Sequence, residues 1–196
     1  MKPLFTCIAI LLLIACNSNK KKGVTVTSED GKTTTTVDAS SLAETSDALQ
    51  KKAEELKKLT PYTLDQMKGF LPEELAGGKR SNFSANSMMG AAFAQATYKI
   101  NDSTDIHVNL YDCAGEAGAG IYSLQYLGMM NFQSESDEEY SKTIEFKGGK
   151  AIEHARKDGS RSTLTYVASD RLLVTLEGRN TSVDQLKQMA GSLNLK

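Results

Sequence analysis

Metal-binding and nucleophilic side chains are scarce: 196 residues carry three cysteines and two histidines. The histidines, His107 and His154, belong to no HExxH or CxxC spacing, so a metal site would need carboxylates from distant parts of the chain. GxSxG is missing too, which removes the sequence sign of a hydrolase nucleophile elbow. The apolar run at residues 4–14 falls short of the about 20 residues a membrane-spanning helix needs. Neither charge sign dominates. With 23 basic against 24 acidic residues, the chain offers no electrostatic reason to expect nucleic acid as a partner.

What is present begins at the N-terminus. Lys2, the apolar run and the polar residues 17–22 that follow Cys16 have the order of a secretory leader. Its last four residues, Leu13, Ile14, Ala15 and Cys16, resemble the lipobox of bacterial lipoproteins. The resemblance implies diacylglyceryl transfer to the Cys16 sulfur, cleavage before Cys16 and fatty acylation of the freed amine. Asn17, where an aspartate would signal retention in the inner membrane, implies the periplasmic face of the outer membrane. Two or three acyl chains anchor far more firmly than the marginal hold of one. Cleavage would take one basic residue, Lys2, from the 23, leaving 22 against 24 acidic ones and a net charge of −2. It would also discard Cys7 and leave Cys113 without an intramolecular partner. Following Leu110 and Tyr111, Cys113 is expected to be a buried small hydrophobe and not a reactive thiol.

Residues 16–40 are polar and Thr-rich, with too little apolar surface to offset ordering, and are expected to be a flexible tether. Val24, Val26 and the Asp30–Gly31 turn leave a small hairpin over 24–37 as the alternative, marginal unless it docks elsewhere. Residues 41–60 change to helical periodicity. Ser41 and Glu44 have capping-box spacing, and Leu42, Leu49, Leu56, Ala53 and Leu59 share one stripe. Such a helix is expected to pack on its own domain or act as a stalk, with binding a partner or pairing with a copy of itself as the functional alternative. Pro61 ends it, and the globular part is expected over 61–196.

Strand patterns follow at 81–87, 92–100 and 105–111, and then an apolar segment, 121–132, is expected to be a helix crossing the sheet. Four further strands are expected at 142–147, 150–156, 161–168 and 171–177, separated by Gly148–Gly149, Asp158–Gly159 and Ser169–Asp170. Ser182 and Gln185 cap a last helix, with Val183, Leu186, Met189 and Leu193 on its buried stripe. The expected class is α+β: an antiparallel sheet with a C-terminal four-strand meander and helices on its faces, plus the N-terminal amphipathic helix. In element order alone, residues 62–196 loosely resemble the PsbP/Mog1-type α/β/α sandwich, which includes envelope lipoproteins. That resemblance carries no functional residues.

Candidate chemistry is sparse. Residues 114–120 are glycine-rich between a strand and a helix, but lack the P-loop lysine and the dinucleotide glycine spacing, and Glu116 would repel a phosphate. Glu135, Asp137, Glu138 and Glu139 lack the EF-hand spacing and read as a solvated loop. Neither cofactor nor metal is expected. The best candidate for contact with a protein partner or small ligand is Ile121, Tyr122, Leu124, Tyr126, Met129 and Met130, on a helix laid over a sheet where pockets form. The expected function is binding in the cell envelope. The rivals are an enzyme with dispersed groups, Asp112, Glu116 and His107 first among them, and a structural protein self-associating through helix 41–59.

Overall fold

The computed structural model describes residues 23–195 except 29, 39–41, 89 and 130. The leader, the lipobox, the Ser41 cap and Met130 lie outside the described residues. The chain is mostly antiparallel sheet with a few helices, α+β in kind.

The sheet has eleven strands. In chain order they are β1 (Gly23–Thr27), β2 (Thr34–Asp38), β3 (Glu74–Leu75), β4 (Gly78–Met88), β5 (Ala91–Lys99), β6 (Asp105–Asp112), β7 (Phe132–Glu135), β8 (Glu139–Phe146), β9 (Gly149–Arg156), β10 (Arg161–Ala168) and β11 (Leu172–Arg179). The helices are α1 (Leu42–Lys57), α2 (Leu64–Gly69), α3 (Gly115–Gly128) and α4 (Val183–Ser192). Across the sheet the order is β1-β2-β7-β8-β9-β10-β11-β6-β5-β4-β3. The middle is closed by β11 against β6, Leu172 opposite Asp112 and Arg179 opposite Asp105.

Period-two alternation sends residues opposite one another in register to the same face. One face gathers Ile106, Val108 and Leu110 of β6, Leu172, Val174 and Leu176 of β11, and Leu164 and Tyr166 of β10, all buried. Met67, Phe70 and Leu71 from α2 and its end cover it, with Leu186 and Ala190 of α4. Each fully buried Leu or Ile there contributes about 1.5–3 kcal/mol of transfer free energy. Both helices start at a capping box, Thr63 with Gln66 and Ser182 with Gln185. These pairs satisfy backbone donors that a helix start leaves open.

The other face is divided. At one end Tyr111, Leu173, Val167 and Ile152 meet α3 and α1 in a second, smaller core. Leu49, Ala53 and Leu56 of α1 lie in it, so the stripe offered above for self-pairing faces α3. The remainder is polar, with Thr97, His107, Glu177, Thr163, His154 and Ser141 in one row.

Several expectations are corrected. The helix placed at 121–132 runs over Gly115–Gly128 instead, and Phe132 opens β7. The glycines of 115–120 therefore belong to the helix, and at Gly118 close packing on the end of β6 leaves no room for a side chain. An added Cβ at Gly118 would stand 2.4 Å from the Cys113 carbonyl carbon. The stretch 135–139 is only in part a loop, since Glu135 ends β7 and Glu139 begins β8. The turn placed at Gly148–Gly149 lies one residue earlier. Phe146 pairs with Gly149, and Lys147 and Gly148 take φ values of 51° and 80°. These positive values suit the primed turns that match strand twist. Within the stretch expected to be a tether or a hairpin, Gly23–Asp38 forms the hairpin. It does not stand alone, because β2 pairs with β7 from Thr34–Glu135 to Val37–Phe132. That extension supplies the support an isolated two-stranded ribbon lacks.

Candidate functional site

The site is built from the junction between β6 and α3. Asp112, the last residue of β6, is fully buried. Its carboxylate accepts from the Arg171 Nε at 2.9 Å and Nη2 at 2.6 Å, from the Tyr62 amide at 2.6 Å and from the Ala114 amide at 3.1 Å. Arg171 also donates to the Thr60 carbonyl at 3.1 Å and lies 3.7 Å from the centre of the Tyr62 ring. The Cys113 amide donates to the Arg171 carbonyl at 2.8 Å. One bidentate pair therefore binds three places at once: the segment leaving α1, the entry to α3 and the β10–β11 turn. Cys113 beneath it is buried, and burial pushes its thiol up to about 12.

From this fixed start α3 carries Tyr122, Tyr126 and Met129 along one side of a cleft of about 550 Å³. The facing side comes from elements distant in sequence: Glu145, the turn residues Lys147 and Gly148, Lys150, Val167 and the β10–β11 turn residues Ser169 and Asp170. Tyr122 and Tyr126 stack, ring centres 5.6 Å apart. Burial first, then Tyr126 and Asp170, push the Tyr122 hydroxyl up to about 12, so it remains a neutral donor at physiological pH. Lys150 is engaged, donating to the Asn131 Oδ1 at 2.8 Å, and Lys147 donates to the Ala190 carbonyl at 2.7 Å. Glu145 is exposed, Asp170 lies 3.9 Å from Lys52, and the Ser169 hydroxyl donates to the Leu195 carbonyl at 2.5 Å. The cleft thus offers a ring stack, two tyrosine hydroxyls and the carboxylates of Glu145 and Asp170.

The sequence-derived surface divides when folded. Tyr122, Tyr126 and Met129 line the cleft, and Ile121 packs into the smaller core. Leu124 is 75% exposed and is not among the cleft's residues. Met130 is outside the described residues. The residues that complete the cleft, Glu145, Val167 and Asp170 among them, had no local signal, since only strand pairing brings their turns to α3.

The dispersed catalytic candidates are not brought together. Asp112 has its oxygens occupied as above, Glu116 is exposed on the first turn of α3, and His107 lies on the opposite face of β6 from Asp112. His107 interacts with the Thr97 hydroxyl at 3.0 Å and with Asp105 at 3.4 Å. His154 stands 3.6 Å from Glu139. Within the acidic stretch Glu135 pairs with Lys157 at 2.7 Å and Glu138 with Arg156 at 3.6 Å. Among the described residues there is no group of three or more histidine, cysteine or carboxylate side chains that could hold a metal. Nor is any helix among them long and apolar enough to cross a membrane.

A second cleft, about 470 Å³, lies where α4 meets the β5–β6 turn, lined by Ile100, Asn101, Thr104, Asn180, Gln185 and Gln188. Three of its polar side chains already serve the local backbone. Asn101 Oδ1 accepts from the Ser103 amide, the Asn180 amide group donates to the Ser103 carbonyl, and Gln185 closes the α4 cap. The α3 cleft is the better candidate because a stacked pair of aromatic rings, Tyr122 and Tyr126, lines it. The chain matches no protein-family model, no curated protein and no solved structure.

Proposed function

We propose that this chain is a lipoprotein of the bacterial envelope, held by acyl chains on Cys16 at the periplasmic face of the outer membrane, and that it works by binding and not by catalysis. The domain has an amphipathic helix at its N-terminal side and a C-terminal meander, and its contact site is the cleft beside α3. One observation carries the binding reading: the Tyr122–Tyr126 stack lines a cleft of about 550 Å³. That size lies within the roughly 300–1,000 Å³ of ligand pockets. The carboxylates of Glu145 and Asp170 beside it favour a small ligand, or a side chain of an envelope protein, that presents hydrogen-bond donors against aromatic rings. The lipobox residues Leu13, Ile14, Ala15 and Cys16 carry the anchoring part.

A photo-crosslinking amino acid at position 126, in native membranes, tests the site. The expected outcome is a discrete adduct, resolved by mass spectrometry, that is missing when the same group replaces Glu177 on the open polar face. Equal labelling from both positions would sink the assignment of this cleft.

A further inference from the structure

The two ends of the sheet are unlike each other. At one end β3 is only Glu74–Leu75, two residues after Pro72 and too short to template another strand. At the other, β1 is Gly23–Thr27, GVTVT, with no charge, no proline and no bulge within it. It is the last strand of the sheet order, with no neighbour on its outer side among the described residues. Thr25 and Thr27 are exposed, and Val26 is 51% exposed. A strand edge with none of the usual blocking devices is a template for another strand.

The hydrogen-bond phase shows which groups are open. The Ser28 amide donates to the Thr33 carbonyl at 2.9 Å, so Ser28–Thr33 is a hydrogen-bonded pair of the hairpin. Bonding alternates along an antiparallel ladder. Val26 and Val24 therefore bond inward to Thr35 and Val37, while Gly23, Thr25 and Thr27 turn their amides and carbonyls outward. The Thr25–Thr36 hydroxyl contact at 3.1 Å fits the closer spacing of a non-hydrogen-bonded pair.

We infer that β1 is a self-association edge whose partner is β1 of a second copy, antiparallel, with the two-fold axis at Thr25. In this register Thr25 faces Thr25 and Gly23 faces Thr27, so every outward amide and carbonyl of β1 is used. Shifting the register by two residues strands some of them. Val26 of each copy comes to the register position of the other's Val24. The flanking charges agree with it: the sequence has Lys20, Lys21 and Lys22 ahead of β1 and Glu29 and Asp30 behind it. Along the sequence the sign runs from basic to acidic across β1, so an antiparallel pairing of two copies matches opposite signs and a parallel pairing matches like ones. The contact is isologous and closes as a dimer, leaving no strand edge of this kind to propagate.

The experiment is oxidative crosslinking of the full chain in membranes of the cells that produce it, with copper–phenanthroline as oxidant. Thr25→Cys places two cysteines about 5.5 Å apart across the axis, inside the roughly 4.4–6.8 Å a disulfide spans. Thr36→Cys, one strand further in on each copy, leaves its pair roughly 14 Å apart. The expected result is a band of twice the monomer mass for T25C, with about ten-fold less or none for T36C and for the unmodified chain. Adding Thr27→Pro to T25C should abolish the dimer, because that amide points away from β2 and its loss leaves the hairpin ladder whole. Monomer alone for T25C, equal crosslinking at position 36, a dimer that survives T27P, or an adduct with a protein of different mass would each overturn the inference.

Discussion

Among the described residues Asp112 and Glu153 are the two carboxylates that folding removes almost wholly from water, and each is tied differently. Asp112 is bound by Arg171 and by two backbone amides, so removing it strands a cation that is itself largely covered. Breaking a buried pair from one side costs about 3–5 kcal/mol. Asp112→Ala is therefore expected to lower the unfolding free energy by that order, read as a lower urea midpoint, while D112A combined with Arg171→Met should recover part of the loss. A D112A midpoint within error of the unmodified chain would show that the pair does not hold the α3 junction. Glu153 faces Lys187 at 2.8 Å and Lys142 at 3.1 Å. Burial raises its pKa, but the two lysines outweigh burial and hold it below the usual 4.5. A carboxylate whose pKa falls on folding stabilises the fold fully above its unfolded value and loses that contribution as pH drops through the folded one. Stability of the unmodified chain should thus decline below about pH 4.5 more steeply than that of Glu153→Gln. Parallel declines in the two denaturation series would remove Glu153 as a source of the acid sensitivity.

At the scale of elements, α3 shows two glycines of opposite meaning. Gly118 faces the backbone of the strand end it springs from, with the Cys113 carbonyl carbon at 2.4 Å and the Asp112 carbonyl oxygen at 2.8 Å from any added Cβ. Backbone cannot swing aside as a flexible side chain can. Gly118→Ala is expected to destabilise by about 1–3 kcal/mol despite the better helix propensity of alanine. Gly120 is exposed and has nothing within 4 Å. Gly120→Ala should stabilise by about 0.5–1 kcal/mol, because only the propensity and the unfolded-state entropy change. Thermal melts of the two variants check the pair, and a stabilised G118A would show that α3 is free to move off the strand end. The helix and its cap spacings were legible in sequence wherever the signal was local. Ser182 with Gln185 and the Val183–Leu186 stripe of α4 are examples. The start of α3 was not, because glycine's low helix propensity conceals a residue chosen for close approach to Cys113.

For the whole molecule, the long order of the sheet decides where the candidate site forms. Strand pairing carries the β8–β9 and β10–β11 turns to α3, and nothing in residues 145–150 or 167–170 read alone points to Tyr122 or Tyr126. The same order seats the N-terminal hairpin on β7, turning a Thr-rich stretch that cannot hold itself together into the margin of the sheet. The proposed anchor is tested at this scale. Cys16→Ser should remove the acyl chains and leave residues 1–15 attached, a change seen in intact mass. A variant that remains membrane-bound at the mass of the unmodified chain would refute lipidation at Cys16.

By itself the sequence determined the local matters: the resemblance of residues 13–16 to a lipobox, the cap at Ser182, the alternation of strands such as Asp105–Asp112, and the scarcity of groups for metal or nucleophilic chemistry. Each rests on residues within a few positions of one another, where backbone geometry and side-chain period act directly. Only the tertiary structure decided that Asp112 closes on Arg171, that Leu124 turns outward while Tyr122 and Tyr126 line a cleft, and that β1 is left as an edge. Those outcomes depend on which strands pair, and pairing is settled by burying faces from distant segments together, a condition no short window of sequence contains.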